Sequence, residues 1–156
     1  MRLNIVKYRT FSLIFVLLIF LDQITKYAIV SNMSLGQTMP LIGGFFGITY
    51  IVNTGAAFSM FKGANLFFVF LSAAFITVML AYLYSRKNAP FLMQTAFAFI
   101  VGGAAGNLLD RIFRGHVVDF FDLKFFSVFN TADVMINLGV AMLIIDTVLC
   151  SKKRGC

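Results

Sequence analysis

The sequence predicts an all-α membrane protein: a bundle of four transmembrane helices with a small extracytoplasmic, β-rich interfacial segment. Three observations carry this reading. Of 156 residues, 60% are hydrophobic, twenty are Phe and only 12% are charged, well outside the range of soluble globular proteins. Four apolar stretches approach the length needed to cross a ~30 Å hydrocarbon core. The basic residues sit at the ends of those stretches, where they set topology. The length allows a single integral membrane domain over 1–156.

The first helix is expected over about 11–30. Arg2, Lys7 and Arg9 precede an apolar run from Phe11 to Leu21, which resembles the start of a cleavable signal peptide. The pattern continues through Asp22, Lys26 and Val30, however, and the loose small-x-small site Ser34-Leu35-Gly36 lies well past the apolar core. A retained helix is the better reading. A long loop, 31–64, follows. Its Gly43, Gly44 and Gly47 precede Ile48-Thr49-Tyr50-Ile51-Val52, the signature of a short strand or hairpin. Such a segment belongs at the membrane surface, because strands exposed to lipid leave backbone groups unpaired.

The second helix, 65–84, carries no charge, and the third, 91–109, begins just after Pro90. A second loop, 110–132, leads to the fourth helix, 133–150. Placing Arg2, Lys7 and Arg9, the Arg86-Lys87 pair and the Lys152-Lys153-Arg154 tail together in the cytoplasm satisfies the positive-inside rule with both termini cytoplasmic. Both long loops are then extracytoplasmic. The net charge of +7 follows from this topology; no basic stripe points to nucleic acid. Cys150 and Cys156, beside the basic tail, read as reduced thiols. With His116 the single histidine and no Cys-x-x-Cys, no metal site is expected, nor any cofactor.

Helix direction brings the polar residues to one depth. Asp22 and Lys26 fall in the outer half of the first helix; Asn107, Asp110 and Arg111 close the third; Asp133 and Asn137 open the fourth; Arg114, His116, Asp119 and Asp122 lie between. Asp146, thirteen residues beyond Asp133, is about 20 Å deeper and is read as a partner of the basic tail. Carboxylates are costly in so apolar a chain and tend to mark a site. Simpler roles exist for each. Asn130 and Asp133 fit an N-cap and its N3 carboxylate, Asp22 and Lys26 an i,i+4 ion pair, and Asp110 a structural pair with Arg111, Lys26 or Arg114. His116 reads as a loop histidine. Gly102 and Gly106 form a small-xxx-small pair for close helix approach. Ser59-Met-Phe-Lys62 matches a Ser-x-x-Lys nucleophile motif, but its companion motifs are absent and it is set aside.

The remaining catalytic kit is a pair of carboxylates sharing one proton, one activating a water and the other supporting a carbonyl oxygen. Asp119 with Asp133 fits, as do pairs involving Asp122 or Asp110. From the residues alone, a small transporter or ion-conducting subunit with Asp22, Lys26 and Asp110 as a charge relay is the alternative.

Five motifs resolve the choice by resemblance: Asp22-x-x-Thr-Lys26, Asn53-Thr-Gly-Ala-Ala-Phe58, Gly106-Asn-Leu-Leu-Asp-Arg111, Val118-Asp119-Phe120 and Phe129-Asn-x-Ala-Asp133. In this order they closely resemble the lipoprotein signal peptidases, the type II enzymes of the bacterial cytoplasmic (inner) membrane. The resemblance implies a multi-pass aspartic endopeptidase that cleaves diacylglyceryl-modified prolipoproteins just before the lipidated cysteine, at the extracytoplasmic face. It implies Asp119 and Asp133 as the catalytic dyad, with Asn53, Asn107, Arg111 and Asn130 binding substrate. Asp22, Lys26, Asp110, Gly106 and Ala132 would support the site. Its partners would be those substrates and membrane lipid, with the chain a monomer. One departure is the short stretch 121–128, which lacks the Trp-containing extension common in that family. The helix dipole further predicts Asp133 as the ionised base and Asp119 as the carrier of the shared proton.

Overall fold

A computed structural model describes residues 8–55, 64–86 and 89–154, with the side chains of 149–154 outside the description. Four helices are present: α1 (Arg9–Asn32), α2 (Asn65–Ser85), α3 (Phe91–Phe113) and α4 (Thr131–Arg154). All four are long and apolar enough to cross a membrane. Three strands, β1 (Thr38–Ile42), β2 (Phe46–Asn53) and β3 (Val117–Leu123), form one antiparallel sheet in the order β1-β2-β3. Four helices and a small β segment are what composition and the glycine cluster predict. The Ser59–Lys62 motif and the partner proposed for Asp146 both fall outside the described residues or side chains.

α3 is the central helix, packed against α1, α2 and α4. Within its apolar window 56% is buried, against 17% or less for the other three. Its composition explains this: Ala96, Ala98, Gly102, Gly103, Ala104 and Gly106 keep its surface low on several sides. In a membrane, helices associate through close packing rather than hydrophobic exclusion, which favours such small residues. Gly102 meets Leu18 of α1, and Gly106 leaves just the room that the Asp22 carboxyl occupies. Gly103 sits on the backbone carbonyl of Ala132, and Gly139 of α4 faces the Ala96 carbonyl and Ile100 in return. The other helices turn large apolar side chains outward, as Phe67, Phe70 and Val78 of α2 do, in keeping with a lipid solvent. A cluster of Phe11, Leu83, Phe97, Ala98 and Val101 closes the end of the bundle remote from the sheet.

Two features differ from expectation. α3 continues to Phe113 rather than stopping at 109, and ends where Gly115 takes a left-handed φ of 78° just past the cap residue Arg114. The stretch predicted as a plain second loop contains β3, which pairs with β2 along Val117–Leu123. Its sequence, Val-Val-Asp-Phe-Phe-Asp-Leu, alternates poorly because Val117 to Phe120 are all buried, so no period-2 signal appears. Gly43 and Gly44, with φ of 50° and 71°, make the β1–β2 turn. β1 is an exposed edge strand bearing Pro40, a residue that edges tolerate.

Because the added Cβ at Gly103 or Gly139 would run into backbone of the facing helix, neither site can relieve itself by a rotamer change. Gly103→Ala and Gly139→Ala are each expected to destabilise the protein by about 1–3 kcal/mol. Thermal unfolding in detergent micelles checks this, and unchanged midpoints for both would contradict the packing described.

Candidate active site

At the sheet end of the bundle a cavity of about 660 Å³ is lined by residues of β2, α3, β3 and α4. Asp119 and Asp133 both face it, together with Asn53, Asn107, Arg111 and Asn130. The elements explain this convergence. Asp119 sits on β3 opposite Ile51 of β2. The N–H groups of Phe120 and Phe121 both donate to the Phe129 carbonyl, at 3.0 and 2.7 Å. That return brings Asn130 and the start of α4 back onto β3. The short 121–128 stretch thus completes β3 and then turns tightly, with Phe126 N–H donating to the Leu123 carbonyl at 2.7 Å, and its Phe126, Ser127 and Val128 line the cavity.

Three asparagines hold the two carboxyl groups. Asn53 Nδ2 donates to Asp119 Oδ2 at 3.0 Å, and Asn130 Nδ2 to Asp119 Oδ1 at 2.6 Å. Asn107 Nδ2 donates to Asp133 Oδ1 at 3.0 Å, while Asn130 N–H donates to Asp133 Oδ2 at 3.2 Å. Which way each amide points follows from its other end. Asn53 Oδ1 accepts from Gly55 N–H at 3.0 Å, Asn130 Oδ1 from Asp133 N–H at 3.1 Å, and Asn107 Oδ1 from Lys26 Nζ at 2.9 Å. Backbone N–H groups and an ammonium only donate, so each Nδ2 is left to face a carboxyl. Asn130 and Asp133 also complete the reciprocal cap expected at the start of α4.

Beneath this layer lies a closed ionic cluster. Lys26, wholly buried, meets Asp22 at 2.9 Å, Asp110 at 3.1 Å and Asn107 at 2.9 Å, so its three protons have three acceptors. Asp22 Oδ1 in addition accepts the N–H of Ala132 at 3.0 Å, capping the first turn of α4 from another helix. Asp110 takes Lys26 and, at 3.6 Å, Arg114, and its Oδ2 accepts Val118 N–H at 3.1 Å, which ties α3 to β3. Arg111, the third cation weighed for Asp110, turns instead to the carbonyls of Gly55 and Asn107 and lies over the Phe68 ring. The relay alternative needs separate charges spread through the bilayer depth, whereas Asp22, Lys26 and Asp110 are locked to one another.

Strand geometry separates the carboxylates near the cavity. Asp122 is three residues from Asp119 on β3, hence on the other face of the sheet, where Thr49 donates to it at 2.6 Å. Asp110 is committed to cations. Asp119 and Asp133 line the cavity together. Burial pushes the Asp119 carboxyl up to about 6, against the hydrogen bonds from Asn53 and Asn130, and the nearby Asp133 adds to the rise. A carboxyl in this state can stay protonated well above the usual carboxylate range. Sequence reasoning missed Gln23, whose Nε2 reaches Asp22, the Gly106 carbonyl and Asp110 at 3.1, 3.2 and 3.4 Å. Its position three before Lys26 was the available signal. It also missed the Thr25–Thr131 hydroxyl contact at 2.9 Å, which no local pattern reveals.

Comparison with known proteins agrees with this picture. The family described as signal peptidase (SPase) II matches residues 14–149. The lipoprotein signal peptidase of Fusobacterium nucleatum is 38% identical over 144 residues, covering 90% of this chain and 87% of that protein. That of Nostoc punctiforme is 43% identical over 141 residues, covering 89% of each. A solved structure described as a bacterial membrane enzyme superposes with a TM-score of 0.83 at 33% identity, covering 92% of this chain and 90% of that one.

Two outcomes are expected. Removing Lys26 leaves two buried carboxylates without their cation, so Lys26→Met should cost about 3–5 kcal/mol in thermal or chemical unfolding, with part recovered by adding Asp22→Asn. For Asp119 the native state keeps its proton up to about pH 6, while the unfolded chain releases it near 3.8. Over that interval the native state binds more protons, so this group's contribution to stability falls as pH rises, by up to about 3 kcal/mol. Asp119→Asn should remove that part of the slope when unfolding is followed from pH 4 to 7.

Proposed function

The chain belongs to the signal peptidase II family of aspartic peptidases, enzymes that process prolipoproteins, and from that premise we propose that Asp119 and Asp133 are its catalytic pair. The observation that carries the proposal is two carboxyl groups, delivered by a strand and a helix start, facing one cavity and sharing Asn130 as a common donor. The substrate is a prolipoprotein carrying a diacylglyceryl group on the cysteine that follows the cut. The cavity lies where the chain leaves the bundle for the sheet, the depth at which a lipid-anchored peptide presents its scissile bond.

The chemistry needs two carboxyl groups that share one proton. A water between the two groups gives a proton to ionised Asp133 as its oxygen adds to the scissile carbonyl carbon, and Asp119 gives its proton to the carbonyl oxygen. The tetrahedral species then collapses: Asp133 passes its proton to the departing amine of the cysteine, and Asp119 recovers one from the hydroxyl. The raised proton affinity of Asp119 and the position of Asp133 on the first turn of α4 support this division. Arg111 and the asparagines border the space where substrate backbone lies. Asp22, Lys26 and Asp110 act from behind, with Gly106 giving Asp22 room and Ala132 presenting the N–H that Asp22 caps.

Charge in the sequence supports one orientation: Arg2, Lys7 and Arg9 precede the first span, Arg86 and Lys87 follow the second, and Lys152 to Arg154 follow the fourth. By the positive-inside rule this favours both termini in the cytoplasm and the cavity at the extracytoplasmic face.

Asp119→Asn and Asp133→Asn should each reduce cleavage of a diacylglyceryl-modified precursor peptide by at least about 10³-fold with folding retained, measured by product formation with purified protein. Near-normal turnover in either variant removes the dyad.

A further inference from the structure

We propose that Asn137 is a substrate-binding residue that determines how the signal-peptide side of the precursor is held, accepting a backbone N–H about two residues before the cut. The inference rests on the catalytic pair proposed above. Asn137 lies one turn after Asp133 on α4 and lines the same cavity. Between Asp133 and Asp146 it is the one polar side chain; the rest is Val, Met, Ile, Leu, Gly and Ala. Its neighbours along the helix surface, Leu138, Val140 and Ile144, are exposed as lipid-facing residues are.

The Asn137 side chain is exposed on the cavity wall, so an end of its amide that no protein group occupies is open to a hydrogen bond from substrate. Asn137 Nδ2 donates to the Asp133 carbonyl at 2.9 Å. Among the described residues no donor reaches its Oδ1, which is therefore left for an N–H arriving from the cavity. The donor end is spent on the helix, so the free end is an acceptor, and the complementary group is a donor such as a peptide N–H.

Distance identifies which one. One helical turn carries Asn137 about 6 Å from Asp133 along α4, toward the bilayer interior. An extended peptide advances about 3.3 Å per residue, so this offset corresponds to two residues. The part of the precursor that runs inward from the scissile bond is the signal peptide, whose apolar segment enters the membrane. Val134 and Leu138, flanking Asn137 on the cavity wall, offer an apolar surface to the side chains beside that N–H.

A binding contact remote from the reacting atoms predicts a specific kinetic pattern. Two synthetic diacylglyceryl-cysteine precursor peptides, one all-amide and one with an ester link replacing the N–H two residues before the cut, are assayed against wild type, Asn137→Leu and Asn137→Ala. Thermal unfolding is measured for each variant, and Asp133→Asn is carried alongside. With the amide peptide, both Asn137 variants should lose about five- to tenfold in kcat/KM, mainly through KM, at wild-type stability. Wild type should lose the same with the ester peptide, and the variants should lose nothing further, since variant and ester remove one and the same hydrogen bond. Losses that multiply, or Asn137 variants as active as wild type, overturn the assignment while leaving the catalytic pair intact. An active Asp133→Asn enzyme would instead remove the reading on which it rests.

Discussion

The arrangement depends on a single buried ammonium. Lys26 lies in an apolar helix with no access to solvent, and a charge there is tolerable only if every proton finds an acceptor. Two of its acceptors, Asp22 and Asp110, neutralise it and Arg114 between them; the third is the neutral amide oxygen of Asn107. That last bond joins the structural cluster to the cavity. With its oxygen held by an obligate donor, Asn107 has no choice but to present N–H to Asp133. A charge that first reads as a cost of embedding Asp22 thereby sets the orientation of a group at the site.

The same device recurs around the pair of carboxyls. An amide has a donor end and an acceptor end fixed in one plane, so holding one end dictates the other. Serine would leave a freely rotating hydroxyl, and a lysine or arginine in place of an asparagine would add a charge that favours the ionised form of its carboxyl partner. Asn53, Asn107 and Asn130 supply direction without charge. They are fixed from three separate sources: the turn after β2, the ionic cluster, and the capped start of α4.

Bringing those sources together is the work of α3 and its small residues. The approach of α4 to within contact of Gly103 lets Asn107 and Asp133 meet, and the absence of a side chain at Gly106 admits Asp22 between α1 and α3. Substituting bulk for either would move a wall of the cavity, so packing and site geometry are one constraint here. The sheet contributes the remaining side, with Asp119 carried by β3 and its partner Asn53 by β2. The likeness to signal peptidase II relatives along most of the chain agrees with a scaffold in which no one element carries the site alone.

How much of this was legible beforehand divides along the range of the forces involved. Membrane class, four spanning helices, the glycine turn and the Asp22–Lys26 pair were all readable, because hydropathy, turn chemistry and i,i+4 spacing act over a few residues and leave their mark on the local sequence. Asp119 and Asp133 could be singled out as members of a small set of carboxylates, and the family motifs named them. What the tertiary structure alone decided was pairing. The burial of Val117 to Phe120 hid the alternation that would have revealed β3, and only that strand's pleat sends Asp122 to Thr49 while Asp119 turns into the cavity. Likewise the bond that orients Asn107 from Lys26, 81 residues away, and the capping of Ala132 by Asp22, 110 residues away, join distant parts of the chain. Such contacts are properties of the packed chain, and no window of sequence contains both of their ends.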